Sequence, residues 1–262
     1  MIAPPPPPPP PLSATITTDT NGLIAGIATI PVRDGNMPCY RAMPEGVKSS
    51  PIILVVQEIF GVHEYIQDVC RRLAKAGYLA VAPELYFRQG DSSAYTDIPK
   101  LMQEIVSKVP DGQVMADLDS TVSWAVRHGG DAAKMSITGF CWGGRITWMY
   151  AAHNPALKAG VAWYGQMIRP ASALTPTHPI DIAATLRVPV LGLYGAADTG
   201  IPVESVKRMQ AALAAVGSPL RIHIYPDTPH AFHADYRPNY RPAEAEDGWQ
   251  HCLEWLAGNG AR

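Results

Sequence analysis

Short, unbroken apolar runs, each followed by an amphipathic stretch, constrain this chain most. PIILVV (51–56) is one such run and YLAVAP (78–83) the next. MSIT (135–138), LKAGVAWYG (157–165), VPVLGLYG (188–195) and LRIHIYP (220–226) follow. A strand apolar on both faces belongs in a parallel sheet covered by helices on both sides. The intervening segments supply those helices. Val62, Ile66, Val69, Leu73 and Ala74 recur at three- and four-residue steps before Gly77. Asp111, after Pro110, reads as the N-cap of a helix carrying Val114, Leu118, Val122 and Ala125, which closes on Arg127, His128, Gly129 and Gly130. RITWMYAAH (145–153), a stretch from about Pro202 to Val216, and a last helix with Trp249, Cys252, Leu253 and Leu256 on one face complete the alternation. Ahead of it, residues 14–18 and 22–32, divided by the turn cluster Asp19 to Asn21, read as an opening hairpin. The pattern predicts an α/β fold with a mostly parallel central sheet and helices on both faces.

With 262 residues and 47% hydrophobic content, the chain can bury a substantial core. No internal repeat or interior linker is visible, so residues 13–262 read as one domain behind a proline-rich tail over 1–12. Pro4 to Pro11 favour an extended polyproline II conformation with no core of its own. Nothing ahead of them has the basic segment and apolar stretch of a signal peptide. A net charge of −2 leaves no basic excess for nucleic acid or an anionic membrane. Four scattered cysteines, at 39, 70, 141 and 252, form no C-x-x-C pair and no zinc-ligand spacing. They suggest a reducing, cytoplasmic setting and no metal site.

The segment richest in chemical content is GFCWGG, Gly139 to Gly144, set directly between a strand and a helix. A G-x-nucleophile-x-G turn there strains the central residue and lifts its side chain above the sheet. Glycine is needed two before and two after, because a side chain would collide with the neighbouring strand or helix. The turn also presents the N–H of Trp142 and a helix N-terminus, both of which stabilise negative charge. A buried, inert cysteine is the alternative reading of any free thiol. It is adopted for Cys39, Cys70 and Cys252, whereas Cys141 reads as a nucleophile.

A thiol nucleophile needs a base, and the base needs a group to fix its tautomer. In α/β-hydrolases their order along the chain is nucleophile, acid, histidine. His230, in DTPHAFH (227–233), lies on a loop after the final strand, with His233 its nearest competitor. His153, His223 and His251 fall at a helix end, within a strand and on the last helix. Asp198 follows the strand VPVLGLYG, at the end where open parallel sheets bind ligands. Its alternative role is an Asx-turn or helix cap.

These segments resemble the dienelactone hydrolase, or carboxymethylenebutenolidase, family of the α/β-hydrolase superfamily. The likeness runs from about Val47 to Leu256 and rests on QEIFG (57–61), GYLAVAPELYFRQG (77–90), GFCWGG, GAAD (195–198) and PHAFH (229–233). It implies an α/β-hydrolase fold and hydrolysis of an ester or lactone through a Cys141–His230–Asp198 triad and an acyl-enzyme. It further implies that Glu58 contacts the nucleophile, that the N–H of Ile59 joins that of Trp142 as an oxyanion donor, and that Arg88 binds a substrate carboxylate. Tyr164 is expected to line the pocket. One departure is visible: Ala234 stands where the family has a second carboxylate-binding arginine, with His233 and Arg237 nearby. The expected partner is a small ester or lactone, without nucleic acid, membrane, cofactor or metal, and nothing calls for more than a monomer. Two rival readings use the same thiol: a broad carboxylesterase or thioesterase, and a redox-sensing or covalently trapping binding protein.

Overall fold

The structure, a computed structural model, describes residues 15–217 and 221–262, so the proline tail lies outside the described residues. Strands β1 (Leu23–Val32) and β2 (Gly35–Pro44) lead into β3 (Ser50–Val56), helix α1 (Glu64–Lys75) and β4 (Leu79–Pro83). Helices α2 (Ile98–Glu104) and α3 (Asp111–Arg127) precede β5 (Gly130–Phe140) and α4 (Trp142–His153). Then come β6 (Ala159–Trp163), a short α5 (Pro179–Ile182), β7 (Val190–Gly195), α6 (Val203–Ala215), β8 (Arg221–Tyr225) and α7 (Pro242–Gly258).

The eight strands form one sheet in the order β1-β2-β4-β3-β5-β6-β7-β8. β2 runs antiparallel to both β1 and β4, and the remaining neighbours are parallel. Helices flank this sheet, giving the α/β-hydrolase architecture. β4, β6 and β7 are buried along their whole length, and β3 nearly so, as unbroken apolar runs require. The chain places β4 on one side of β3 and β5 on the other. The order therefore reverses between β3 and β5, and the crevice at their C-terminal ends is where such sheets bind ligands.

Two expectations need correction. The opening hairpin joins β1 to β2 through Arg33 and Asp34, not residues 14–18 to 22–32. The N–H groups of Ile16 and Thr18 donate instead to the carboxylates of Asp235 (3.0 Å) and Asp68 (2.6 Å), which leaves them none for a strand ladder. Asp111 is not an N-cap. Pro110 holds that position without a side-chain bond, and the Asp111 carboxylate binds both terminal nitrogens of Arg145 at 2.7 Å.

Between β5 and α4 the backbone turns sharply at Cys141, whose φ of 56° is left-handed for a residue with a side chain. The Cys141 N–H donates to the Trp163 carbonyl at 3.0 Å, and its own carbonyl accepts from Gly144 and Arg145. A Cβ on Gly139 would overlap the Gly143 carbonyl, and one on Gly143 would overlap the Val56 carbonyl at the end of β3. Both glycines flanking the nucleophile are thus dictated by close approach. Gly143→Ala should destabilise the fold by about 3 kcal/mol or more, because backbone must move on both sides. Urea unfolding measures this.

Candidate active site

A cavity of about 210 Å³ opens over the C-terminal ends of β3, β5 and β6, lined by Ile59, Met102, Cys141, Trp142, Tyr164, Ile201 and His230. Arg145, Gln166 and Arg169 add polar groups to it. Cys141 is half-buried, in contrast to Cys39, Cys70 and Cys252, which are sealed in the core. Burial pushes the Cys39 thiol up to about 11 and the Cys252 thiol up to about 12. Cys70 is raised further for the same reason. These three are buried, as expected.

His230 lies on the loop after β8 and Asp198 on the loop after β7. Nδ1 of His230 sits 2.6 Å from Oδ2 of Asp198. The other Asp198 oxygen, Oδ1, accepts the N–H groups of Gly200 (2.8 Å) and Ile201 (2.9 Å). Asp198 therefore forms an Asx-type turn and orients the imidazole at once, one oxygen for each task. The backbone carbonyl of His230 accepts from Asn239 at 3.0 Å, which anchors its loop.

Burial alone would favour neutral His230. Hydrogen bonds with Asp198 and then Cys141, reinforced by their charges, overcome this and raise its pKa to about 10. The imidazolium is thus favoured, held to the Asp198 carboxylate beside the cavity that Cys141 also lines.

Glu58 follows β3 and is 1% exposed. Its Oε2 accepts from the Tyr236 hydroxyl at 2.7 Å and lies 3.4 Å from His63 Nε2, while its Oε1 is buried without a partner. Ile59 and Trp142 both line the cavity, the first on the loop after β3 and the second at the start of α4. As the first residue of α4, Trp142 has an N–H with no intrahelical acceptor. Tyr164 is fully buried with a φ of 40°, and its ring meets His230 edge-on at 5.1 Å. Burial pushes its phenol well above the ordinary tyrosine range.

No hydrogen bond joins Glu58 to Cys141 among the described residues, and Arg88 is likewise not brought into the cavity. Its guanidinium is spent on two carboxylates, with Nε 2.7 Å from Asp34 and Nη1 2.6 Å from Asp117, in a separate depression. His233 cannot replace the missing arginine, being buried beside the Tyr65 hydroxyl (2.7 Å) with its pKa driven well down by burial. Arg237 stacks on Phe60, 5.4 Å from the ring centre, outside the cavity lining. Arg169 is the cation that sequence reasoning missed. It follows β6 in QMIRP, is exposed at the cavity rim and pairs with no carboxylate among the described residues. Its signal was its place just past a strand end, on the ligand-binding side of the sheet. Arg145 also lines the cavity but is held by Asp111, Thr177 and His178.

Fold and site together define a cysteine-nucleophile α/β-hydrolase. Residues 37–259 match the family model described as the dienelactone hydrolase family. A Methylorubrum extorquens protein named as a candidate carboxymethylenebutenolidase is 60% identical over 247 residues, covering 94% of this chain and 85% of the relative. The crystal structure of a candidate dienelactone hydrolase from Klebsiella pneumoniae superposes with a TM-score of 0.88 at 59% identity, covering 90% of this chain and 98% of that one. A more distant Bradyrhizobium relative, 30% identical over 83% of this chain and 87% of its own, is named as a candidate 2-oxo-3-(5-oxofuran-2-ylidene)propanoate lactonase. The chain belongs to the dienelactone hydrolase family, and it is a carboxylic ester hydrolase.

The raised His230 pKa has a consequence for stability. Its folded value lies above the ordinary 6.5, so its contribution is complete below about pH 6.5 and is lost as pH climbs towards 10. Over that interval the melting temperature of the wild type should fall further than that of His230→Gln. Thermal melts across the pH range check this.

Proposed function

We propose that the protein hydrolyses a small ester or lactone in two acyl-transfer steps, with Cys141 as nucleophile, His230 as acid and base, and Asp198 orienting His230. The observation that carries the reading is the imidazole bonded to the Asp198 carboxylate at 2.6 Å and lining, with Cys141, one open cavity. The thiolate adds to the carbonyl carbon, and the N–H groups of Ile59 and Trp142 take the oxyanion. His230 passes its proton to the departing alkoxide as the acyl–oxygen bond breaks, leaving a thioester. Acylation removes the thiolate charge and with it one of the two partners that hold the imidazole protonated. His230 is then the base that takes a proton from water. The hydroxide adds to the thioester, and collapse expels the thiolate, releases the acid and restores the ion pair. With a lactone the alkoxide stays tethered, so one hydroxy acid leaves. None of these steps calls for a cofactor or metal.

The cavity walls suggest the substrate class. Ile59, Met102, Trp142, Tyr164 and Ile201 suit a flat, apolar acyl body, and Arg169 at the rim suits an anionic end. We therefore assign to Arg169 the carboxylate recognition that Arg88 and position 234 do not supply here. The four unpaired thiols fit a cytoplasmic setting, and among the described residues no helix is long and apolar enough to cross a membrane.

Cys141→Ala should abolish turnover of p-nitrophenyl acetate without unfolding the protein. Asp198→Asn should cost at least about a hundredfold, since the imidazole loses its tautomer. Continuous multiple turnover by the wild type separates hydrolysis from a trapping thiol, which would stop after one equivalent of nitrophenolate. Arg169→Gln should raise KM about tenfold for esters bearing a free carboxylate and leave neutral esters unchanged. An equal effect on both substrate types would remove Arg169 from recognition.

A further inference from the structure

The loop that carries His230 is held from behind as well as from the cavity side. Ala231, next to the imidazole, has a φ of 61°, and Asp227 one of 50°. Such a backbone keeps its shape only where its surroundings impose it. Three and five residues beyond His230, two buried side chains, His233 and Asp235, do so. His233 Nδ1 meets the Tyr65 hydroxyl of α1 at 2.7 Å, and Oδ2 of Asp235 accepts from Nη2 of Arg72, also on α1, at 3.0 Å. The same Asp235 oxygen accepts the N–H of Ile16 at 3.0 Å. Ile16 belongs to the segment ahead of β1, which is neither helix nor strand. Two residues on, the Thr18 N–H reaches Asp68 of α1 at 2.6 Å, and Asp68 in turn holds Nε of Arg72 at 2.6 Å. Residues 16–18 thus lie as a strap over α1 and the histidine loop, closed at one end on Asp235 and at the other on Asp68.

Asp235 is 1% exposed, and its other oxygen, Oδ1, is buried without a partner. A buried carboxylate so placed depends on the few donors it has, and one of these comes from a segment that the sheet does not hold. An apolar side chain could fill the same space at less cost, but it would not join the loop to the strap. Neither Asp235 nor Ile16 lines the active-site cavity. We propose that Asp235 is a positioning residue for the catalytic base: through it the strap clasps the His230 loop and holds the imidazole in register with Asp198 and Cys141. Loosening the clasp frees the loop to sample arrangements in which His230 stands off the thiol. The fraction of the enzyme ready for proton transfer then falls.

This role rests on the acyl-transfer reading, in which His230 moves the proton, and its test keeps the two apart. Ile16→Pro removes one N–H and orphans no charge, because Arg72 still pairs with both Asp235 and Asp68. Thr17→Pro places the same ring one residue on, at an N–H with no partner among the described residues. Ile16→Pro should lower kcat for p-nitrophenyl acetate about tenfold, while Thr17→Pro keeps the wild-type value. Amide hydrogen exchange, followed by peptide mass, should quicken about tenfold over residues 227–241 in Ile16→Pro and stay unchanged in β3 and α4. In an Asp235→Ala background, Ile16→Pro should cause no further loss of turnover, because its acceptor is gone. Wild-type turnover by Ile16→Pro would overturn the proposal, as would an equal loss in Thr17→Pro. So would quickened exchange throughout the molecule, which marks general destabilisation, or losses that multiply in the double variant. If Cys141→Ala retains turnover, the acyl-transfer reading fails, whatever the exchange of the loop. If Cys141→Ala is dead while Ile16→Pro is unimpaired, only the role of the clasp fails.

Discussion

The site depends on one backbone residue held where its own side chain disfavours it. Cys141 has a positive φ, at a cost of order 1–3 kcal/mol, and persists there because its surroundings over-determine the turn. The Trp163 carbonyl on β6 holds its N–H, the first turn of α4 holds its carbonyl, and the flanking glycines let β3 and α4 close in. Release of that strain would let the thiol sink towards the sheet, away from His230. Tyr164 and Ala231, two further residues with positive φ, lie beside the same crevice. Strain is gathered at the end of the sheet that does the chemistry, and the buried strands beneath it hold the frame.

Electrostatics complete what the turn begins. His230 is drawn in two directions, by burial towards the neutral form and by its partners, Asp198 first, towards the charged one, and the partners prevail. Asp198 succeeds because one of its oxygens is already locked by two backbone N–H groups. A carboxylate so fixed cannot rotate to follow the ring, so the ring must settle on it. The imidazole is therefore fixed on a rigid carboxylate beside a cavity walled mostly by apolar side chains.

The interior of the fold was legible where burial was complete. PIILVV and YLAVAP read as buried strands and are β3 and β4, and GFCWGG read as a turn carrying Cys141. Legibility failed where polar side chains stood in for backbone partners. The segment at residues 14–18 has strand-like composition, but Asp68 and Asp235, remote in sequence, take its N–H groups. Asp111 looked like a cap because nothing local reveals that Arg145 will claim its carboxylate. The placement of Arg88 outside the cavity was hidden for the same reason, since its partners Asp34 and Asp117 lie far along the chain. The triad was readable from chain order and loop position. The free rim cation and the strap on Asp235 were not, because each is defined by what the folded chain leaves unpaired or brings across a gap.

The order in which the strands enter the sheet has a bearing on synthesis. The cysteine elbow sits near the middle of the chain, on a central strand, whereas the imidazole arrives on a loop after the outermost strand, β8. A nascent chain can fold the elbow against β3 and β6 while the histidine is still inside the ribosome. Until β8 docks, the sulfur has no base beside it. Reactivity is thus acquired last, when nearly the whole polypeptide is already in place to shield it.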